Sequence, residues 1–246
     1  MHVRFAAVGL AAGLSLLAAP SVAALGCDKG TNRDDVIRCS RFDDSHPGDP
    51  GDDFIYGGQG NDYLHGGRGH EEIYGGADRD VLWGDEGRDR LDGGPGNDSL
   101  LGAGGSDLIQ GSTGNDAIAG NEDDDLLDGG PGADQLVGDE GRDTLYGGPG
   151  PDGLGGNAES DRLYGETGND VLTGRGGDDV LKGGEDDDVL YGDAGEDVLF
   201  GGDGDDVIYG ADLERDRIRC GRGRDWVEAN AGDVVHESCE RVRRVG

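Results

Sequence analysis

The chain is 246 residues long and carries 54 acidic against 21 basic side chains, a formal net charge of -33, together with 53 glycines. That composition leaves too little apolar material for an ordinary packed core. It also excludes a broad basic surface for nucleic acid and repels an anionic lipid surface, so the partner it suits is a cation.

Met1 to Ala24 reads as a secretory signal peptide: a basic start ("MHVR"), a 15-residue apolar run from Phe5 to Ala19, then small residues in "SVAA" where cleavage after Ala23 or Ala24 fits. A lipoprotein signal is the alternative, because Cys27 follows "ALG", although Ala24 and Leu25 suit a lipobox poorly. The run is short for a membrane span, and nothing later in the chain is apolar enough to be a transmembrane segment. The sequence therefore predicts a secreted, extracellular protein.

Residues 25–47 are expected to form an N-terminal cap. "GTNRDDVIR" and "CSRFDDSHP" keep Asp35 and Asp44 but carry Arg33 and Phe42 where later copies have glycine. Cys27 and Cys39 lie in this segment, and Cys220 and Cys239 lie near the other end. Four cysteines in an exported chain suggest disulfides. Of the three connectivities, the local one, Cys27 with Cys39 and Cys220 with Cys239, closes the shortest loops and would clip each end separately.

From Gly57 the text runs "GGQGNDYLH GGRGHEEIY GGADRDVLW GDEGRDRLD", a nine-residue period that holds strict phase from Gly30 to Tyr209, or 20 copies. Position 1 is Gly in 19 copies and position 4 is Gly in 14, which marks backbone in close approach or at positive φ. Position 6 is Asp in 19 copies, Glu71 being the exception. Position 8 is Leu or Ile in 19, with His46 the exception. One aliphatic between two outward-facing neighbours reads as a short strand with its middle side chain turned inward.

G-G-x-G-x-D followed by a residue, an aliphatic and a residue resembles the RTX, or haemolysin-type calcium-binding, nonapeptide repeat. The resemblance implies an all-β fold, a right-handed parallel β-roll stabilised by calcium, in which two copies make one turn and each glycine-rich half forms a loop. It implies multiple Ca2+ ions between loops stacked two copies apart, held by position-6 carboxylates and backbone carbonyls. Residues 48–209 would be this roll. One ligand row would be Asp53, Glu71, Asp89, Asp107, Asp125, Asp143, Asp161, Asp179 and Asp197. The other would be Asp62, Asp80, Asp98, Asp116, Asp134, Asp152, Asp170, Asp188 and Asp206. Glu71 adds a methylene to its ligand arm, and weaker calcium is expected at the sites it shares with Asp53 and Asp89.

The donor chemistry agrees. Calcium takes six to eight hard oxygens at flexible geometry, which carboxylates and the carbonyls of open glycine turns supply. The chain's five histidines are scattered in phase and its cysteines sit at the ends, so zinc is a poor candidate. One aliphatic per nine residues is too small a core to offset the ordering of the backbone, so folding is expected to depend on calcium. Ten turns are expected from the 20 copies. They offer at most 18 inter-loop positions, and full loading with divalent ions would nearly neutralise the chain.

Residues 210–246 are expected to be a C-terminal cap. One residue is inserted in "GADLERDRIR", after which "CGRGRDWVE" returns. Eight arginines fall between Arg215 and Arg244, read as guanidiniums closing the last Asp rows in place of calcium. The alternative is docking on a cell-surface or extracellular polymer. Tyr56 and Tyr74, Tyr146 and Tyr164, and Tyr191 and Tyr209 are each 18 residues apart, which predicts stacked rungs on a sheet surface, with a carbohydrate platform as the alternative.

No catalytic motif survives inspection. "HEEIY" at 70 and "HESCE" at 236 each lack the second histidine of a zincin helix, and there is no G-x-S-x-G elbow, P-loop or EF-hand spacing. The expected function is non-enzymatic and extracellular: a structural, adhesive or calcium-sequestering roll, acting as a monomer. The alternative is a calcium-binding subunit of a secreted toxin or hydrolase whose catalytic part is another chain.

Overall fold

One aliphatic side chain at position 8, with outward neighbours at 7 and 9, shapes each copy into a strand. The computed structural model describes residues 26–245, so the signal peptide expected over residues 1–24 lies outside them. Among the described residues there are 24 strands and no helix. They form two 12-stranded parallel sheets, with alternate strands falling into alternate sheets. Two copies make one turn of a solenoid, and pairing runs at a register of 18 residues: Ile55 lies opposite Ile73, and Leu64 opposite Leu82. The parallel β-roll expected from the repeat is the fold the chain adopts.

A representative strand, Arg90–Pro95, runs from position 7 of one copy to position 3 of the next. Its two buried positions are Leu91 at position 8 and Gly93 at position 1. Stacked over the turns, the position-8 side chains make one narrow column between the sheets, from Ile37 to Val227, almost wholly shut off from solvent. His46 takes the same slot in the second copy, where it is buried and its Nδ1 accepts the Gly48 N–H at 3.2 Å. An imidazole fits a core slot here because a backbone donor satisfies its acceptor.

The coil is longer than the ten turns that 20 in-phase copies imply. Those copies account for the first 20 strands, and Arg217–Arg222, Trp226–Asn230, Val234–Val235 and Arg241–Val245 add four more in register. The single inserted residue after Tyr209 is absorbed in the loop Ala211–Arg215 without breaking either sheet. The degenerate first copies also coil: Val36–Arg38 pairs with the strand at Phe54, and Ser45–Pro50 with the strand at Tyr63. Disulfides join Cys27 to Cys39 and Cys220 to Cys239, one at each end, as loop closure favours.

Candidate metal centre

Position 6 lies just before each strand, where the loop meets the sheet, so the 18-residue register stacks its carboxylates into two straight rows. The nine from Asp53 to Asp197 form one row and the nine from Asp62 to Asp206 the other, and none is more than 4% exposed. Burying that many carboxylates is unfavourable unless their oxygens find partners.

One oxygen of each aspartate does. Oδ1 accepts the backbone N–H of the position-6 residue one turn earlier, at 2.7–3.0 Å, repeatedly along both rows. The side chain thus replaces a backbone acceptor in the loop, where the strand ladder has ended. Oδ2 of every aspartate in both rows is buried and has no partner.

The position-1 glycines explain where Oδ2 points. A Cβ on Gly93 would stand 2.5 Å from Asp98 Oδ2 and 2.9 Å from the Gly111 carbonyl oxygen. On Gly129 it would stand 2.6 Å from Asp134 Oδ2 and 2.7 Å from the Gly147 carbonyl. Each such glycine therefore leaves a cradle lined by a carboxylate oxygen of its own copy and a carbonyl oxygen from the next turn. Position 4 crowds a carbonyl of the preceding turn instead: Cβ atoms at Gly87, Gly105 and Gly114 would clash with the carbonyls of Gly69, Gly87 and Gly96. Both glycine positions keep side chains out of an oxygen-lined loop interior.

Burial pushes these carboxyls well above the usual carboxylate range. Asp80, Asp125, Asp161 and Asp188 reach about 8, and Asp62, Asp98 and Asp206 about 6. Desolvation is the largest cause, the N–H at Oδ1 pulls the other way, and neighbouring carboxylates raise the values further. A charged, buried, half-satisfied carboxylate row calls for a cation, and the donors around it are all hard oxygens.

Glu71 departs from the row. The other position-6 residues from Asp62 onward bond the N–H of the turn before, but Glu71 makes no such bond to Asp53, and both its Oε atoms are buried without a partner. The extra methylene carries the carboxylate past the Asp53 N–H. Desolvation, then the charge of Asp89, pushes Glu71 strongly upward. Its neighbour His70 has an ordinary role: the His70 N–H bonds Asp52 Oδ1 at 2.9 Å, and Nδ1 accepts the Arg88 N–H at 2.9 Å. This belongs to a second ladder at position 5, where acceptors such as Asp52, Asn61, Asn97 and Asp124 take an N–H from the following turn.

The rows continue beyond the residues that strict phase picks out. Asp216 and Asp225 accept the N–H groups of Asp197 and Asp206 at 2.9 and 3.0 Å, and both keep an unpartnered buried Oδ2. Sequence reasoning missed them because the inserted residue shifts their spacing from 18 to 19. The signal that finds them is an Asp two residues before an aliphatic, in "RDRI" and "RDWV". The ends then close with protein donors. Asp233 bonds the Asp216 N–H through Oδ1 and the Asn230 N–H through Oδ2, and Glu240 takes the Asp225 N–H. At the other end Thr31 donates both its N–H and its hydroxyl to Asp35 Oδ2, and Ser40 does the same to Asp44 Oδ2.

Of the arginines expected to close the rows, Arg244 reaches an end, its Nη1 donating to the carbonyls of Asn230 and Asp233 at 2.6 and 3.3 Å. Arg222 pairs with Asp203 at 2.9 Å, Arg224 with Asp205, and Arg243 with Glu228 at 3.2 Å, all on the exposed surface and none on a row end. Cys27, Cys39 and Asp44 cluster closely enough to suggest a metal site, but the two sulfurs are spent on their disulfide.

A family model for the RTX calcium-binding nonapeptide repeat, four copies long, matches residues 48–70, 65–100, 101–136, 120–154, 155–190 and 182–212. No curated protein matches the chain. With those matches spanning most of its length and a β-roll lined by buried aspartates, the chain belongs to the RTX calcium-binding nonapeptide repeat family.

Proposed function

We propose that the protein is an exported calcium-binding β-roll that folds on binding several Ca2+ ions between its stacked loops. Its role would be non-enzymatic and extracellular: structure, adhesion or calcium sequestration. The observation that carries this reading is the unbroken series of buried, unpartnered Oδ2 atoms facing the glycine cradles. The residues that would hold the ions are the two position-6 rows from Asp53 to Asp206, extended by Asp216 and Asp225. Bound calcium would supply the positive charge and the oxygen coordination that these carboxylates lack.

The chain's own residues do the rest. Oδ1 fixes each aspartate to the turn before it, so Oδ2 is aimed at the cradle once the turns stack. Glycine at positions 1 and 4 keeps the loop backbone close enough for carbonyls to share the ion. The position-8 column aligns successive turns, the Thr31 and Asn230 donors serve the outermost Asp35 and Asp233, and Ser40 serves one oxygen of Asp44 while the other stays buried without a partner.

Circular dichroism of the signal-free chain, titrated with calcium and separately with magnesium, tests this. Calcium should convert a largely unfolded chain to β structure at concentrations where magnesium does not, because magnesium demands stricter octahedral geometry and sheds water reluctantly. A chain fully folded in chelator, or folded equally by magnesium, would refute the proposal.

A further inference from the structure

The outer face of the first sheet changes character along the coil. Over five successive rungs, from Thr144–Pro149 to Arg217–Arg222, the outward positions 7 and 9 carry Arg162, Lys182, Arg217 and Arg219 and no carboxylate. All four cations are exposed, and no ion pair among the described residues uses them. In a chain of net charge -33 with 21 basic residues, four of those fall on this strip. The earlier rungs of the same face mix both signs, with Arg38 and Arg90 beside Glu72, Asp92 and Asp128.

The strip is also stiffened. Tyr146 and Tyr164 stack with centroids 4.9 Å apart and planes within 10°. Lys182 then stands between two rings, its Nζ 4.9 Å from the Tyr164 centroid and 5.9 Å from that of Phe200. Cation–π contact on both sides holds the ammonium upright instead of letting it sweep the surface.

We propose that this strip docks a single anionic polysaccharide chain lying along the coil axis. This rests on the calcium-folded roll proposed above, because only the folded chain aligns the rungs and only the loaded one loses most of its negative field. Width argues for one polymer chain. Positions 7 and 9 are about 7 Å apart, and beyond them lie acidic side chains, Glu166 and Glu185 on one edge and Asp178 and Glu196 on the other. A lipid plane or a nucleic-acid duplex would press its phosphates against those edges. Single-stranded nucleic acid relies on exposed aromatic faces for base stacking, and here the ring faces are taken up by one another and by Lys182.

The test is calorimetric titration of the calcium-loaded chain with heparin, with neutral dextran as control, at low and moderate salt. Heparin should bind with an affinity that falls steeply as salt rises, and dextran should not bind. Replacing Arg162, Lys182 and Arg219 together by Gln should weaken heparin binding by about tenfold or more, with the calcium midpoint in circular dichroism unchanged. If that triple variant fails to refold, Lys182→Gln with Arg219→Gln serves in its place. The docking is overturned if the unsubstituted chain does not bind heparin or the variant binds it as well. It is equally overturned if poly(U) RNA or phosphatidylserine vesicles displace heparin from the same residues at lower concentration. A chain already folded in chelator would sink the calcium reading while leaving the heparin comparison to decide the strip.

Discussion

Asp98 Oδ1 accepts the backbone N–H of Asp80 at 2.8 Å, while its Oδ2 lies beside the carbonyl of Gly111 in the cradle that Gly93 leaves open. One carboxylate therefore joins a turn to the turn before it and turns its other oxygen toward the turn after. Structure and ion binding use different oxygens of the same side chain, so substitutions can separate them.

Asp98→Asn keeps the acceptor for the Asp80 N–H but removes the charge. In saturating calcium it should lower the melting temperature, consistent with the loss of about 1–3 kcal/mol for a charged hydrogen-bonding partner. In chelator it should raise stability, because a buried unpaired charge has gone. A melting curve in calcium and the β content by circular dichroism in chelator measure the two signs; a decrease in both would mean that charge is not what Oδ2 contributes.

Gly93→Ala puts a methyl group into the cradle, 2.5 Å from Asp98 Oδ2. A loss of about 2–4 kcal/mol in the calcium-loaded state is expected, as for other buried steric conflicts. Gly155 is the control: it is a buried residue of the second sheet, yet nothing lies within 4 Å of a Cβ built on it. Gly155→Ala should change stability by no more than about 0.5 kcal/mol. Chemical denaturation of the two variants in calcium separates the cases, and equal effects would contradict the cradle.

Glu71→Asp should bring a carboxylate oxygen back to the Asp53 N–H, a gain of about 1 kcal/mol, and restore the row for calcium. A higher calcium-loaded melting temperature and a lower calcium midpoint are expected. Unchanged values for both would show that the longer arm is already accommodated.

In chelator the pH dependence should run opposite to that of most proteins. Row carboxyls such as Asp62, Asp107, Asp80 and Asp125 have folded values of about 6, 7, 8 and 8, above the ordinary range near 4. Their contribution to stability is fully present at acid pH and is lost as pH rises through 6 to 8. The calcium-free chain should therefore gain β structure on acidification from pH 8 to pH 4. Calcium affinity should fall over the same window, because protons compete for the same oxygens. Circular dichroism across that range checks the first effect, and calcium titrations at pH 8 and pH 6 check the second.

Much of the roll was legible because the repeat keeps one phase. Leu64, Leu82 and Leu100 had to be stacked once the period was 9 and the turn 18. The disulfide pairing followed from chain separation. The double use of each aspartate was not legible, since a residue's identity does not reveal which oxygen meets an N–H. Asp216 and Asp225 fell outside strict phase by a single inserted residue. Thr31 and Ser40 were hidden for another reason: a hydroxyl four residues before an aspartate reads as an ordinary loop until both donors are seen on one oxygen. Among the cap arginines Arg244 meets a row end through backbone carbonyls, the Asp233 carboxylate itself being served by the Asn230 N–H.

The position-6 bonds also bear on how the rod yields under load. Each turn is tied to the next by one such link on either edge, so pulling the ends apart works against the links in series. At the Asp53–Glu71 step one edge lacks this side-chain link, so that level rests on its backbone ladder, including the bond from the Glu72 N–H to the Asp53 carbonyl at 2.8 Å, and on the Asp62–Asp80 link opposite. A filament anchored at its two ends would therefore carry one side-chain tie fewer at that level than at the next, close to its amino-terminal end.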